Sequence, residues 1–157
     1  MRSWYNRVVR DPDDLDPVCA ALEHFNAEYQ AAREEVDNLH GRRLIEVQTM
    51  LPGIVGYRYE QYMELSAILG YLHVRTDAVL GGRRRHYSEH YNRALSDRMI
   101  EKYAETDPQV IAMRELCNHV VAVKNKFEAL SRQHEYLHYQ LGHIVQLRKA
   151  GLDDALL

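Results

Sequence analysis

Cysteine is nearly absent from this chain: Cys19 and Cys117 are the only two in 157 residues, and neither has a C-x-x-C partner. That removes the thioredoxin-like redox motif. Both cysteines fall among helical apolar positions and read as reduced core residues of a cytosolic protein. Long apolar runs are missing too, and none approaches the ~20 residues of a membrane span. The opening Met1-Arg-Ser-Trp-Tyr carries a charge but no apolar stretch, so no signal peptide is expected. No segment alternates apolar and polar residues with a period of two, which argues against half-buried strands. The G-x-x-x-x-G-K-[ST] and G-x-G-x-x-G loops are absent, and so is the G-x-S-x-G elbow. No catalytic constellation and no cofactor are therefore expected. Charge of one sign is also lacking: the net charge is −3, so bulk charge does not announce a nucleic-acid protein.

What is present is helical. Hydrophobic residues make up 46% and charged residues 27% of the chain, ordinary values for an ordered domain. Asp16-Pro17 has an N-cap residue followed by the proline favoured at the first helical position. Val18, Leu22, Phe25, Tyr29, Ala32, Val36 and Leu39 then recur at alternating spacings of four and three, a heptad seam, with Gly41 as the expected end. Leu51-Pro-Gly-Ile-Val-Gly56 predicts a break. A second helix is expected from about Tyr57 to Leu80, with Tyr62, Leu65, Leu69, Leu72, Thr76 and Val79 on its stripe and Gly81-Gly82 ending it. Asp107-Pro108 repeats the capping device. From Pro108 to Lys149 the seam is Met113, Leu116, Val120, Val123, Phe127, Leu130, His134, Leu137, Leu141 and Ile144, with Gly151 as the cap. A helix of that length reaches roughly 60 Å. Such a stripe needs partner helices along its length, supplied either by an intrachain bundle of three helices or, as the greater length of this helix favours, by a self-associating all-α protein with seams between copies. Residues 1–50 read as a basic arm and first helix, and residues 51–157 as the oligomerising domain.

His134-Glu135-Tyr136-Leu137-His138 matches the H-E-x-x-H pattern of zinc hydrolases, in which two histidines one turn apart bind the metal. His134, however, lies on the seam, and His143 is five residues beyond His138, off the face a third ligand needs. A seam histidine beside a solvated glutamate is the expectation, with no metal bound. His86 and His90 are also one turn apart, but among arginines, a poor setting for a cation.

The segment Arg83-Arg84-Arg85-His86-Tyr87-Ser88-Glu89-His90-Tyr91-Asn92-Arg93 follows two glycines and is expected to form a mobile cationic loop. Arginine forks suit phosphate oxygens. Tyr87 and Tyr91 offer flat faces for unpaired bases. Lys102 extends the cationic set. Arg2, Trp4, Arg7 and Arg10 form a secondary candidate with the same ingredients. The bland reading is a solvated basic loop on a structural or adaptor coiled coil that binds no nucleic acid.

Three stretches carry a resemblance. They are Ala78-Val-Leu-Gly-Gly-Arg83-Arg-Arg-His-Tyr87-Ser, Ile100-Glu-Lys102-Tyr-Ala-Glu-Thr-Asp107-Pro-Gln-Val110, and Gln140-Leu-Gly-His-Ile144-Val-Gln-Leu147-Arg148-Lys-Ala-Gly151-Leu-Asp-Asp-Ala. From about Tyr57 onward the chain resembles the phage recombination mediators of the UvsY family, while its first 50 residues depart from that pattern. The resemblance implies a ring-forming oligomer, commonly a heptamer, in the cytoplasm of an infected bacterial host. It implies single-stranded DNA binding and the loading of a RecA-like phage recombinase onto strands coated by the phage single-strand-binding protein. In that family a Lys-x-Arg pair contacts DNA. Arg83 matches the arginine, and Gly81 stands at the lysine position.

Overall fold

The structure is a computed structural model and describes residues 3–37, 43–91 and 95–151; side chains are described except those of residues 36 and 37. All its regular structure is helical: α1 (Trp4–Val8), α2 (Asp16–Asp37), α3 (Leu44–His90), α4 (Asp97–Glu105) and α5 (Pro108–Lys149). No described residue lies in a strand. No helix among the described residues is long and apolar enough to cross a membrane. Arg2, Leu39, Gly41, Arg93 and residues 152–155 of the resemblance lie outside the described residues, as does the Val36 side chain.

The chain divides into two compact units, residues 1–23 with 64–124 and residues 24–63 with 125–157. In the first, the buried apolar residues include Val8, Val18, Ala21, Leu65, Ile68, Leu72, Val110, Cys117, Val120 and Val123. In the second they are Phe25, Ala32, Val47, Leu51, Phe127, Leu130 and Leu141. There the Phe127 ring meets the edges of Phe25 and Tyr29 at 5.8 and 6.1 Å. Val47, Leu51 and Leu141 form a cluster with Leu44, Val55 and Leu137.

α5 has the bounds its capping residues predict. The Gln109 amide donates to Asp107 Oδ1 at 2.9 Å, and Gly151 turns the chain at φ 70°. The approach to α2 is built from aspartates: Asp11 and Asp14 each accept from an amide two residues on, at 3.0 Å. Asp16 is thereby the first residue of α2, and the Leu15 carbonyl accepts the opening helical bonds.

α3 overturns the expected boundaries. It runs unbroken through Pro52, Gly53, Gly56, Gly81 and Gly82. Proline forfeits one helical hydrogen bond and glycine favours other conformations, but both are local penalties. The compensation is tertiary: Val47 and Leu51, on the near side of Pro52, are buried against Leu141. One stripe continues through Val47, Leu51, Ile54, Arg58, Gln61, Leu65, Ile68 and Leu72, alternating four and three. Its polar members hid the continuity. Of the expected stripe Leu65 and Leu72 are buried, while Tyr62 and Leu69 are half-buried and their neighbours Gln61 and Ile68 are buried instead.

Most of the α5 stripe is buried within a single chain. Met113, Val120, Val123, Phe127, Leu130, His134 and Leu141 are buried, Leu116 and Leu137 are half-buried, and Ile144 is exposed. Its burial therefore does not require a second copy, and the argument from stripe length to self-association loses its force.

Candidate nucleic-acid interface

From Arg83 to His90 the basic segment is the C-terminal end of α3 and not a loop. The helix places Arg83 and Tyr87 one turn apart on one face, while Arg84, Arg85, His86 and His90 are exposed. Helix α4 and the first residue before α5 then close over that face.

Asp107 holds the centre. Its side chain is 2% exposed. Oδ2 accepts from Arg83 Nε at 2.6 Å and from the Tyr87 hydroxyl at 2.9 Å, while Oδ1 accepts from the Gln109 amide. Burial pushes this carboxyl up, but the Gln109 amide, the Tyr87 hydroxyl and the Arg83 guanidinium together outweigh it, so it lies below its ordinary value. The Arg83 guanidinium also sits 5.4 Å from the Tyr87 ring centre. Arg83 is thus fixed on one edge and 27% exposed.

Arg84 pairs instead with Glu101 of α4, and both side chains are more than two-fifths exposed, at 45% and 42%. Arg85 and Lys102 are exposed and make no ion pair among the described residues.

Three tyrosines meet beside these charges. Tyr87 lies 6.2 Å from Tyr91 and 5.9 Å from Tyr103. Tyr91 and Tyr103 stack at 5.7 Å with their planes 19° apart. Both are exposed, at 49% and 36%. His86 and His90 stack at 4.9 Å on the outer face. The arrangement offers aromatic surface, an anchored arginine, a displaceably paired arginine and two unpaired cations.

Of the site residues expected from sequence, Arg83, Arg84, Arg85, Tyr87, Tyr91 and Lys102 all lie on α3, α4 or the residue following α3. Tyr103, Glu101 and Asp107 were missed as members. The regular Asp97, Glu101, Glu105 spacing on α4 is the signal that would have exposed the acidic side of the site. The secondary candidate is not a free arm. Trp4 and Arg7 lie on α1, which is pinned where Ser3 Oγ and the Tyr5 amide donate to Glu64 Oε1 at 2.5 and 3.1 Å, with Val8 buried. Arg7 stacks on Trp4 at 4.5 Å, and Arg10 is exposed. Glu64 precedes Arg83 by 19 residues of α3, roughly 28 Å along the axis. The structure does not bring the two candidates together.

The H-E-x-x-H helix does not present an open histidine pair. His134 is fully buried and its Nδ1 donates to the Leu130 carbonyl at 2.7 Å, leaving Nε2 buried without a partner among the described residues. Burial pushes the imidazole below its ordinary range. Glu135 and His138 instead line an open groove of about 390 Å³ with Pro52, Val55, Gly56 and Tyr139. No three histidine, cysteine, aspartate or glutamate side chains among the described residues converge to hold a metal.

Compared with known protein families, with curated proteins and with solved structures, the chain matches none.

Proposed function

We propose that this protein is a non-enzymatic recombination mediator. In this reading it binds single-stranded DNA and helps load a RecA-like phage recombinase onto strands coated by the phage single-strand-binding protein. It acts as a ring-like homo-oligomer, in the heptameric form of the family it resembles, in the cytoplasm of the infected host. The observation that carries the reading is the exposed Tyr91–Tyr103 stack beside Arg83, Arg84, Arg85 and Lys102. Aromatic faces take unpaired bases while cations track the phosphates, a combination that tolerates any sequence and favours single strands. The second reading, a structural or adaptor helical protein, is favoured by one fact: Arg83 and Arg84 already have carboxylate partners.

Fluorescence anisotropy with a labelled single-stranded oligonucleotide separates the two. Mediator binding should weaken steeply as salt rises, with a slope of about −0.7 per phosphate contact. Changing Arg83, Arg84 and Arg85 together to alanine should flatten that slope and weaken binding at least tenfold. No binding at low salt by the wild-type protein would favour the adaptor. Light scattering on the same sample reads the assembly, and a monomeric mass would remove the ring.

A further inference from the structure

Arg83 and Arg84 are adjacent in sequence, and each meets one carboxylate, but the two carboxylates are not equivalent. Asp107 is buried, receives three hydrogen bonds and caps the 42-residue α5. Losing Arg83 would leave a charge in a place without water, so Asp107 keeps its arginine. Glu101 lies on the nine-residue α4, is 42% exposed, and has Arg84 as its described partner. Exposed pairs of this kind contribute little and exchange readily with solvent and other anions. Glu105 and Asp77 add further negative charge around the Arg84 guanidinium. Three residues beyond Arg84 on α3, one helical turn along, is Tyr87, whose ring lies 5.9 Å from that of Tyr103. A phosphate arriving at Arg84 therefore arrives beside the aromatic surface that would take its base.

We infer that Glu101 is a built-in competitor of nucleic-acid phosphate: it occupies Arg84 in the free protein and is displaced when a single strand binds. This rests on the proposed single-strand binding and adds its regulation. Arg83 becomes a positioning residue that locks Tyr87 and the start of α5, and Arg84 the cation that changes partner. The carboxylate lowers affinity for any isolated anion, because each must outcompete a tethered acid. A polyanion with stackable bases overcomes that barrier through several contacts at once.

The test is a double-mutant cycle on the full chain, read by anisotropy with the same labelled oligonucleotide. Glu101→Gln preserves shape and removes the competing charge. It should tighten single-strand binding roughly two- to fivefold, the worth of an exposed ion pair. That gain should vanish when Arg84 is already alanine. Glu105→Gln removes the same charge one turn along α4 and should give a smaller gain. Thermal melts check that each variant is folded. Wild-type binding with no gain in Glu101→Gln would overturn this inference and leave the single-strand reading standing. A gain that persists in the Arg84→Ala background would also overturn it, since the effect would then be general repulsion. Absence of binding by wild type and Glu101→Gln alike would overturn both.

Discussion

Two arginine environments on the same helix show how little residue type decides by itself. Arg58 lies on the buried stripe of α3 in the second unit, and its side chain is 6% exposed. Its Nη1 donates to Gln61 Oε1 at 2.9 Å and Glu28 Oε2 at 3.2 Å, and its Nη2 to Glu35 Oε2 at 2.8 Å. Gln61 donates in turn to Glu28 at 3.0 Å. Arg58 Nε is buried without a partner among the described residues. Twenty-six residues later, in the first unit, Arg84 makes one exposed ion pair. The first arginine is enclosed by a network and the second borders water. An enclosed charge specifies packing because its loss strands its partners. An exposed charge is available to a ligand because its loss strands nothing.

The largest expected effect is on the enclosed side. Arg58→Ala removes the donor shared by Glu28, Glu35 and Gln61. We expect a loss of about 2–3 kcal/mol, below the full value for buried pairs because both glutamates reach solvent. In a domain of this size that lowers Tm by roughly 4–12 °C in a calorimetric scan. An unchanged Tm would mean the network is not a determinant of the fold.

Next comes the comparison between neighbours. Arg83→Ala should be clearly destabilising, because it takes one of three donors from buried Asp107. Arg84→Ala should cost much less, because its ion pair is exposed on both sides. Chemical denaturation of the two variants measures the difference directly. Equal losses would erase the distinction between a positioning and an exchangeable arginine.

The smallest effect is a pH dependence, because it involves one group at a time. His134 neighbours Arg58 and Glu35, and burial holds its imidazole below the ordinary 6.5. As pH falls below 6.5 the unfolded chain takes the proton before the folded one. The stability tied to neutral His134 is therefore complete above that pH and is lost on acidification through its lower folded value. Asp107 follows the same sign further down: its contribution is present above the ordinary 3.8 and disappears as pH falls through its depressed folded value. Thermal melts across a pH series should show stability declining on the acid side of neutrality. His134→Leu should flatten that decline, and a slope unaltered by the change would place the titration elsewhere.

Capping chemistry was the most legible feature. Asp107-Pro108 and Gly151 marked both ends of α5, because cap residues act on backbone groups beside them in sequence. The same reasoning failed at Pro52 and Gly81-Gly82. There, local preferences of a few kcal/mol were outweighed by packing contributed from residues far away in the chain. The Arg58 network went unseen because a polar residue at a seam position reads as a gap in the stripe. Its partner Glu28 is thirty residues distant. At the candidate interface the cations and two of the tyrosines were visible. Tyr103 was not, since nothing in the spacing says that α4 folds back onto the end of α3.

By itself, the sequence determined that this protein is helical, where α5 begins and ends, and which segment gathers cationic and aromatic side chains. Those properties depend on residues within one or two turns of each other. The tertiary structure decided that α3 continues through its proline and glycines, that most of the α5 stripe is buried by its own chain, and that Arg83 and Arg84 meet different acids. Those outcomes depend on which distant surfaces exclude water together, and only the packed chain contains that information.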